Sequence, residues 1–388
     1  MSSVQDRPLK GIRILTIEQY GATPYGTQLL AGLGAEVIKI ENPGTGGDTA
    51  RAVGPHMLGE SDSQYFQTFS RGKKSIALDL KSAEDRAIFE KLVATADAVA
   101  NNLRGDLPRK LKVDYEALSQ IKPSIVCAHL SAYGRDVERE SWPGYDYLFQ
   151  AEAGFLSLTG EPDGPPARFG LSMVDFMTGT MMTTGLLASV LGAHRTGQGC
   201  DVDVCLYDTA MHQLSYPGVW YLNEGDRTER IARSSHPSVV PSQLVKARDG
   251  WVFFMCQLPK FWDVFCKLAD REDLMARPEY KTVKDRRDNR YQLQDELDAE
   301  FSKRDVSDWI ALLGGKVPIA AVHDIAQALD SPHAQALLET VDHPDYPDGL
   351  RMQREPFRIN GERLSGKRAP KLGEHTDELL SEIGAKRS

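Results

Sequence analysis

The sequence predicts an α/β protein, with a large domain built on a parallel sheet and a smaller α+β domain after it. Three observations carry this. Gly11-Ile-Arg-Ile-Leu-Thr-Ile17 and Ala35-Glu-Val-Ile-Lys-Ile40 are short apolar runs of the kind buried strands show, and residues 25–33 between them have helical spacing. Strand, helix and strand in that order imply a parallel βαβ unit. The alternation continues to residue 206. Between Asn223 and Pro241 the composition then shifts to Arg, Ser, His and Pro, which marks a linker.

The first strand runs into the turn Glu18-Gln-Tyr-Gly-Ala-Thr-Pro24. A dinucleotide site would need G-x-G-x-x-G straight after that strand. Gly21 and Gly26 stand too far apart, and Gly32-Leu-Gly34 comes after the helix, so nicotinamide-dinucleotide binding is rejected. The stretch from Asn42 to Arg51 is rich in Gly, Pro and Asp and reads as loop. Strands are expected at Ile76–Leu80, Asp97–Asn102 and Ser124–Leu130, with an amphipathic helix from Lys81 to Ala94. Met173 to Arg195 reads as a long helix with Leu186, Leu187, Val190 and Leu191 at helical spacing, closed by Thr196-Gly197. Cys200–Leu206 alternates like a strand, and a helix follows over 209–221. Beyond the linker, Gln243–Ala247 and Trp251–Cys256 flank Arg248-Asp-Gly250, a hairpin signature. Residues 259–330 read as helices with a strand near Val317–Val322, and 357–361 and 370–380 as a closing strand and helix.

The 388 residues suffice for two domains or one large one. Hydrophobic residues at 41% and charged residues at 26% are the balance of a globular chain. A net charge of −9 gives a nucleic-acid partner no electrostatic support. No continuous apolar run reaches about 18 residues, so no membrane span is expected. The start, MSSVQDRPLKG, has no signal-peptide core. The cysteines form no C-x-x-C pair, which points to a reduced, cytoplasmic protein. The histidines lack metal-ligand spacing, so no metal is expected.

Asp175 stands in the first turn of the long helix, where unpaired N–H groups favour an anion. Two readings are open: a helix cap, a common task for Asp, or a nucleophilic carboxylate held ionised by the helix end. Arg71, Lys73 and Lys74 gather beside Gly72, and Arg104, Arg109 and Lys110 form a second basic cluster. Such clusters hold phosphate or merely make solvated turns.

Several blocks in order resemble the class III CoA-transferases, typified by formyl-CoA transferase (the CaiB/BaiF family). They are GIRILTIEQYGATP, LGAEVIKIENPGTGGDTAR, SRGKKSIALDLK, DAVANNLRGDLPRKL, PGYDYLFQAEAGFLSLTGEPDGPP and GEHTDELLSEIG, spread from Leu9 to Gly384. The resemblance implies a large Rossmann-like open-sheet domain built from both chain ends, residues 1–222 and 331–388. It also implies a linker and smaller α+β domain over 223–330, and a homodimer of interlocked rings. It places Asp175 at the catalytic aspartate, and Arg71, Lys73, Lys74, Asn102, Leu103, Arg104, Lys110 and Tyr133 near coenzyme A. On this resemblance CoA is a substrate and no cofactor is tightly bound. The implied reaction moves CoA from succinyl-CoA or a similar acyl-CoA to a small carboxylic acid, a dicarboxylate, through aspartyl anhydride and aspartyl-CoA thioester intermediates. Arg233 and His236 either touch the acid or belong to an exposed linker. Gly21 replaces a glutamine of the formyl-CoA transferases, and Ser235–Gln243 lacks their glycine run; both departures argue against formyl and oxalyl groups. One alternative is an α-methylacyl-CoA racemase, but Tyr145 stands where that branch carries His. Another is a non-catalytic acyl-CoA-binding paralogue, which would have no use for Asp175.

Overall fold

A computed structural model describes residues 7–387. Residues 1–6, part of the start read above for a leader, lie outside the described residues. The chain divides into two compact units. One is Met1–Ala153, Phe169–Leu214 and Ala336–Ser388; the other is Gly154–Arg168 and Ser215–Gln335. Set beside the expected boundaries at 222 and 330, these units group 154–168 and 215–222 with the smaller part and begin the return at Ala336. The expected helix over 209–221 is two helices, Leu206–His212 and Ser215–Glu224, and the chain breaks between them where Ser215 takes a φ of 51°.

The first unit is built on β1 (Arg13–Ile17), α1 (Ala22–Gly32), β2 (Glu36–Glu41), α2 (Gln64–Ser70), β3 (Lys74–Ala77), α3 (Ala83–Thr95), β4 (Ala98–Asn101), β5 (Val126–Ser131), α4 (Asp146–Glu152), α5 (Met173–Thr196) and β6 (Cys200–Cys205). The six strands form one sheet in the order β3-β2-β1-β4-β5-β6, with every neighbouring pair parallel. Ile14, Leu15, Val37, Ile38, Val99 and Val126 are buried, which is why the strands read as unbroken apolar runs. The direction of winding reverses between β1 and β4. Open α/β sheets bind ligands at that switch point, beyond the carboxyl ends of the strands. The strand order is that of dinucleotide-binding domains, although the glycine fingerprint is missing.

On one face, Leu15, Ile38, Ile76 and Val99 pack with Phe89 and Leu92 of α3. Leu379 and Leu380 of the C-terminal helix Thr376–Glu382 join the same cluster. Each buried leucine contributes roughly 1.5–3 kcal/mol, so the last residues of the chain are anchored on a sheet made by the first. The long helix α5 packs against β5, β6 and α1. It buries Val174, Met182, Leu186, Val190 and Ala193. Leu191, expected on the buried face, is 60% exposed, because the packed stripe is completed by Thr178, Gly179 and Thr183. By length and mean hydropathy α5 would also suit a membrane span, against the expectation of none. Its Thr and Gly residues interrupt the apolar run without removing its hydropathy; in this fold it lies on the sheet.

The second unit carries the antiparallel sheet β7 (Ser242–Lys246), β8 (Trp251–Met255) and β9 (Ile319–Ala321). The expected hairpin and third strand are there. Val245, Val252, Phe254, Phe265, Leu297, Phe301 and Trp309 make its core, with Phe301 stacked on Trp309 at 4.4 Å. In the returning segment, β10 (Leu338–His343) and β11 (Tyr346–Gln353) form a hairpin that sequence reading missed. Pro347 and Gly349 lie inside β11 and read as turn. The strand expected at 357–361 shrinks to Arg358–Ile359 paired with Glu362–Arg363.

Helices α1 and α5 cross with no room for side chains. A Cβ on Gly26 would lie 2.5 Å from the carbonyl oxygen of Gly179, and one on Gly179 2.3 Å from that of Ala22. Gly179→Ala should therefore push the helices apart and destabilise the protein by roughly 1–3 kcal/mol. Gly192→Ala, on the same helix with nothing within 4 Å, should be neutral or stabilising. Thermal melts of the two variants check the contrast; equal melting temperatures would mean the crossing is loose.

Candidate active site

A set of buried ions lies beneath the ends of β1, β2 and β3. Glu18 accepts from Lys73 Nζ at 2.6 Å and from the Thr27 hydroxyl at 2.7 Å. Lys39 Nζ sits 2.7 Å from Asp48 Oδ2 and donates to the carbonyl of Glu18 at 2.9 Å. Glu41 accepts two bonds from Arg51, at 2.9 and 2.7 Å, and a third from the Ser75 hydroxyl at 2.6 Å. All of these charged groups are buried. Burial pushes Glu18 up, and Lys73 and Lys39 outweigh it, holding the carboxyl below its ordinary range. The cluster shapes the turn after β1: Asp48 Oδ1 accepts the N–H of Tyr20 at 3.1 Å and of Ala50 at 2.9 Å. Tyr20 takes a φ of 62° and Gly21 then starts α1.

Above this floor lies a cavity of about 460 Å³. Its walls are the strand ends: Ile17–Ala22 after β1, Ile40–Asn42 after β2, Leu78–Lys81 after β3, Asn102–Arg104 after β4 and Leu130–Ala132 after β5. Trp142, Tyr145 and Asp175 complete it. Apolar walls with a few charged groups at the switch point of a parallel sheet suit a long, partly apolar ligand. Asn102 ties two walls together, its amide donating to Gln19 O at 2.7 Å and accepting from Gln19 N at 2.9 Å.

Asp175 lies in the first turn of α5 but does not cap it. The N-cap position is Ser172, which offers no side-chain bond. The backbone N–H of Asp175 donates to Asp146 Oδ2 at 3.0 Å, so the helix end serves Asp146 and not Asp175. Among the described residues no donor reaches the Asp175 carboxylate. Burial, and then the charge of Asp146, push its carboxyl up to about 7. The expectation of a carboxylate held ionised by the helix end is therefore corrected: the group is poised near neutrality and is basic when ionised. Tyr65, on α2, faces it. Burial, followed by the Asp175 charge, pushes its phenol up to about 12, so Tyr65 stays a donor. Gly21 has an ordinary φ of −114°, so no turn requires glycine there. A Cβ would lie 3.7 Å from Asp175 Oδ2 and 3.6 Å from Tyr65 Oη, and the glycine keeps that space open.

Asp175, Asn102, Leu103 and Arg104 are thus brought to one cavity, with Arg104 also held by Asp106 at 3.1 Å. The other expected CoA contacts are not. Arg71 is buried and pairs with Glu339 at 3.1 Å and Glu355 at 3.0 Å. Lys73 belongs to the buried floor, and Lys74 bridges Glu36 and Glu378 at 2.6 and 2.7 Å. Lys110 pairs with Asp106 at 2.6 Å on the surface. Tyr133 donates to Glu152 and packs on Phe149 at 5.0 Å. Arg233 pairs with Asp298 at 2.6 Å, and the His236 ring accepts the N–H of Ser238 and Val239, both at 3.1 Å, within the second unit. Sequence reasoning missed Asp146, Tyr65 and Lys81. Lys81 was read as the start of a helix, yet it is an exposed cation on the cavity wall.

Comparison with known proteins agrees with this geometry. The description of CoA-transferase family III matches residues 9–376. A succinyl-CoA:mesaconate CoA-transferase of Haloarcula marismortui is 34% identical over 97% of this chain and 96% of its own length. A succinate–glutarate CoA-transferase of Agrobacterium fabrum is 32% identical over 97% and 96%. The crystal structure of a CaiB/BaiF family protein from Brucella suis superposes with a TM-score of 0.84 at 29% identity, covering 98% of this chain and all of that one. With the acidic side chain of α5 and the strand ends assembled as such a site needs, the chain belongs to CoA-transferase family III and is a CoA-transferase.

Proposed function

We propose that this enzyme moves CoA from succinyl-CoA or a similar acyl-CoA to a small dicarboxylic acid, with Asp175 as nucleophile. The observation that carries the reading is an Asp175 carboxyl on the cavity wall with its affinity for protons raised. A free carboxylate attacks thioesters poorly; one that is basic, half-desolvated and fixed beside the thioester is a better nucleophile. Attack on the thioester carbonyl forms a mixed anhydride and breaks the C–S bond, releasing CoA thiolate. The thiolate attacks the Asp175 carbonyl, forms the aspartyl-CoA thioester and expels the donor acid. The acceptor acid attacks that thioester, giving a second anhydride and free thiolate. The thiolate then takes the acceptor's acyl carbon and returns Asp175 as carboxylate. Tyr65 and the open space at Gly21 flank the carboxylate where oxyanions develop. The dicarboxylate choice is supported by the relatives named for succinate, mesaconate and glutarate.

The racemase alternative draws no support from the site. Tyr145 stands at the cavity, edge-on to Tyr20 at 6.2 Å, where that branch places a histidine base. CoA is proposed to lie along the strand ends past Asn102, Leu103 and Arg104, with Lys81 and Arg104 on its phosphates. A homodimer and a cytoplasmic location complete the proposal; the second is supported by cysteines that are all unpaired.

Asp175→Asn should lower turnover at least about a thousandfold, because an amide is a poor nucleophile, while CoA binding persists. With acyl-CoA present, hydroxylamine should inactivate the wild type and not the variant. Transfer by the variant at the wild-type rate would sink the nucleophile.

The raised carboxyl also sets a pH dependence. Activity should rise with pH through about 7 as Asp175 ionises. In stability the sign is opposite. The folded state binds this proton more tightly than the unfolded chain, so ionised Asp175 costs stability above about pH 7, and the cost is absent below the ordinary value of 3.8. Asp175→Asn should therefore raise the melting temperature at pH 8 by more than at pH 5. Equal shifts at both values would mean the carboxyl titrates normally.

Lys81→Ala should raise the KM for acyl-CoA about tenfold with kcat within twofold, since a phosphate contact is made equally in ground and transition states. Lys74→Ala, which loses only ion pairs to Glu36 and Glu378, should leave that KM unchanged. Steady-state kinetics on both variants tests the reassignment, and the reverse order would restore Lys74 to the cofactor.

A further inference from the structure

Asp146 and Gln150 lie on successive turns of α4 and are 3% and 1% exposed. Buried polar side chains need partners, and these two turn theirs toward the segment that carries Asp175. Gln150 Nε2 donates to Asp146 Oδ1 at 2.5 Å and to the carbonyl of Leu171 at 3.2 Å. Gln150 Oε1 accepts the N–H of Phe169 at 2.9 Å. Asp146 Oδ2 accepts the N–H of Asp175 itself at 3.0 Å. One helix thus caps another, at the position where Ser172 supplies no cap. A cap taken from α4 ties the nucleophile's backbone to α4, and it leaves the Asp175 side chain free of the helix end.

We propose that Asp146 and Gln150 are positioning residues for Asp175: Gln150 anchors Asp146, and Asp146 both fixes the first turn of α5 and places a negative charge beside the nucleophile. This rests on the reading of Asp175 as nucleophile. The groups that face Asp175 are Asp146 from α4 and the Tyr65 phenol from α2. Tyr65 keeps its proton up to about pH 12, so within the working range only Asp146 brings a charge to Asp175. Removing that charge makes Asp175 easier to ionise and less basic.

Asp146→Asn keeps the shape and an acceptor for the Asp175 N–H. Its kcat should fall about tenfold, with the KM for acyl-CoA within twofold. The acid limb of kcat/KM should move down by about one pH unit, the usual effect of losing a like charge nearby. A residue that merely holds the fold would lower the melting temperature and leave that limb where it was. Gln150→Met leaves the Asp146 charge in place and removes its anchor. It should lower kcat at least tenfold with the limb unmoved, and it carries the test should Asp146→Asn lose its melting transition. Wild-type kcat in Gln150→Met, or a wild-type limb in a folded Asp146→Asn, overturns the proposal. Failure of the nucleophile reading looks different: Asp175→Asn would then stay active whatever the α4 variants do.

Discussion

The site depends on a buried exchange of charge between the first strands. Glu18, Lys39, Asp48, Lys73, Glu41 and Arg51 carry equal numbers of positive and negative groups and are all buried. Charges taken out of water are costly unless paired and hydrogen-bonded. Here each has at least two partners, and several are backbone groups of the loops they hold. Deleting one member would leave a buried charge short of its counter-ion, a loss of about 3–5 kcal/mol in comparable pairs. The cluster is therefore a lock more than a source of stability. It fixes the directions in which the chain leaves β1 and β2.

From that lock the geometry follows in steps. Asp48 holds the N–H of Tyr20, and the chain turns through Tyr20 and Gly21 into α1. Helix α1 meets α5 at Gly26 and Gly179, close enough that neither tolerates a side chain. That crossing lies one helical turn beyond Asp175, so the contact that sets the helix spacing also sets the depth of the carboxylate. Asp146 fixes the first turn of α5 through the Asp175 N–H. Asp175 stands on a helix packed against a sheet, where positions are held better than on loops.

How much of this the sequence could disclose depended on how far apart the partners lie. The parallel sheet was legible because its strands are buried on both faces and each is a local apolar run. The position of Asp175 in the first turn of an apolar helix was legible as a local pattern, but that pattern left a helix cap and a nucleophile both open, and only the family resemblance chose between them. The basic cluster at Arg71, Lys73 and Lys74 was misassigned because its partners are remote: Glu339, Glu355, Glu18, Glu36 and Glu378. A local charge count sees cations without carboxylates and leaves phosphate and a solvated turn both open; the resemblance then placed them near CoA. Lys81 was overlooked for the converse reason, since at the head of a helix a lysine looks ordinary until strand ends surround it. Asp146 lies in the block PGYDYLFQAEAGFLSLTGEPDGPP, but its hydrogen bond crosses to a residue 29 positions along the chain. The absent glycine fingerprint argued against a nicotinamide dinucleotide, yet the strand order is shared with dinucleotide folds. What differs is the turn after β1, which is closed by Asp48 in place of glycines around a pyrophosphate.

The raised basicity of Asp175 has a consequence for the order of events on the proposed pathway. In the mixed anhydride the CoA thiolate can attack either carbonyl. Attack on the donor's carbonyl expels Asp175 and returns to the start; attack on the Asp175 carbonyl expels the donor acid and goes forward. The less basic carboxylate leaves more readily. An ordinary acid has a pKa near 4, whereas the Asp175 carboxyl is pushed up to about 7. The donor is the better leaving group, and the anhydride partitions forward to the enzyme thioester. The same preference opposes the last step, in which Asp175 must itself leave. On the proposed pathway the aspartyl-CoA thioester, and not either anhydride, is then the covalent form expected to accumulate. A charge on α4 that raises the basicity of Asp175 would, on that pathway, thus speed its attack and set where the enzyme waits.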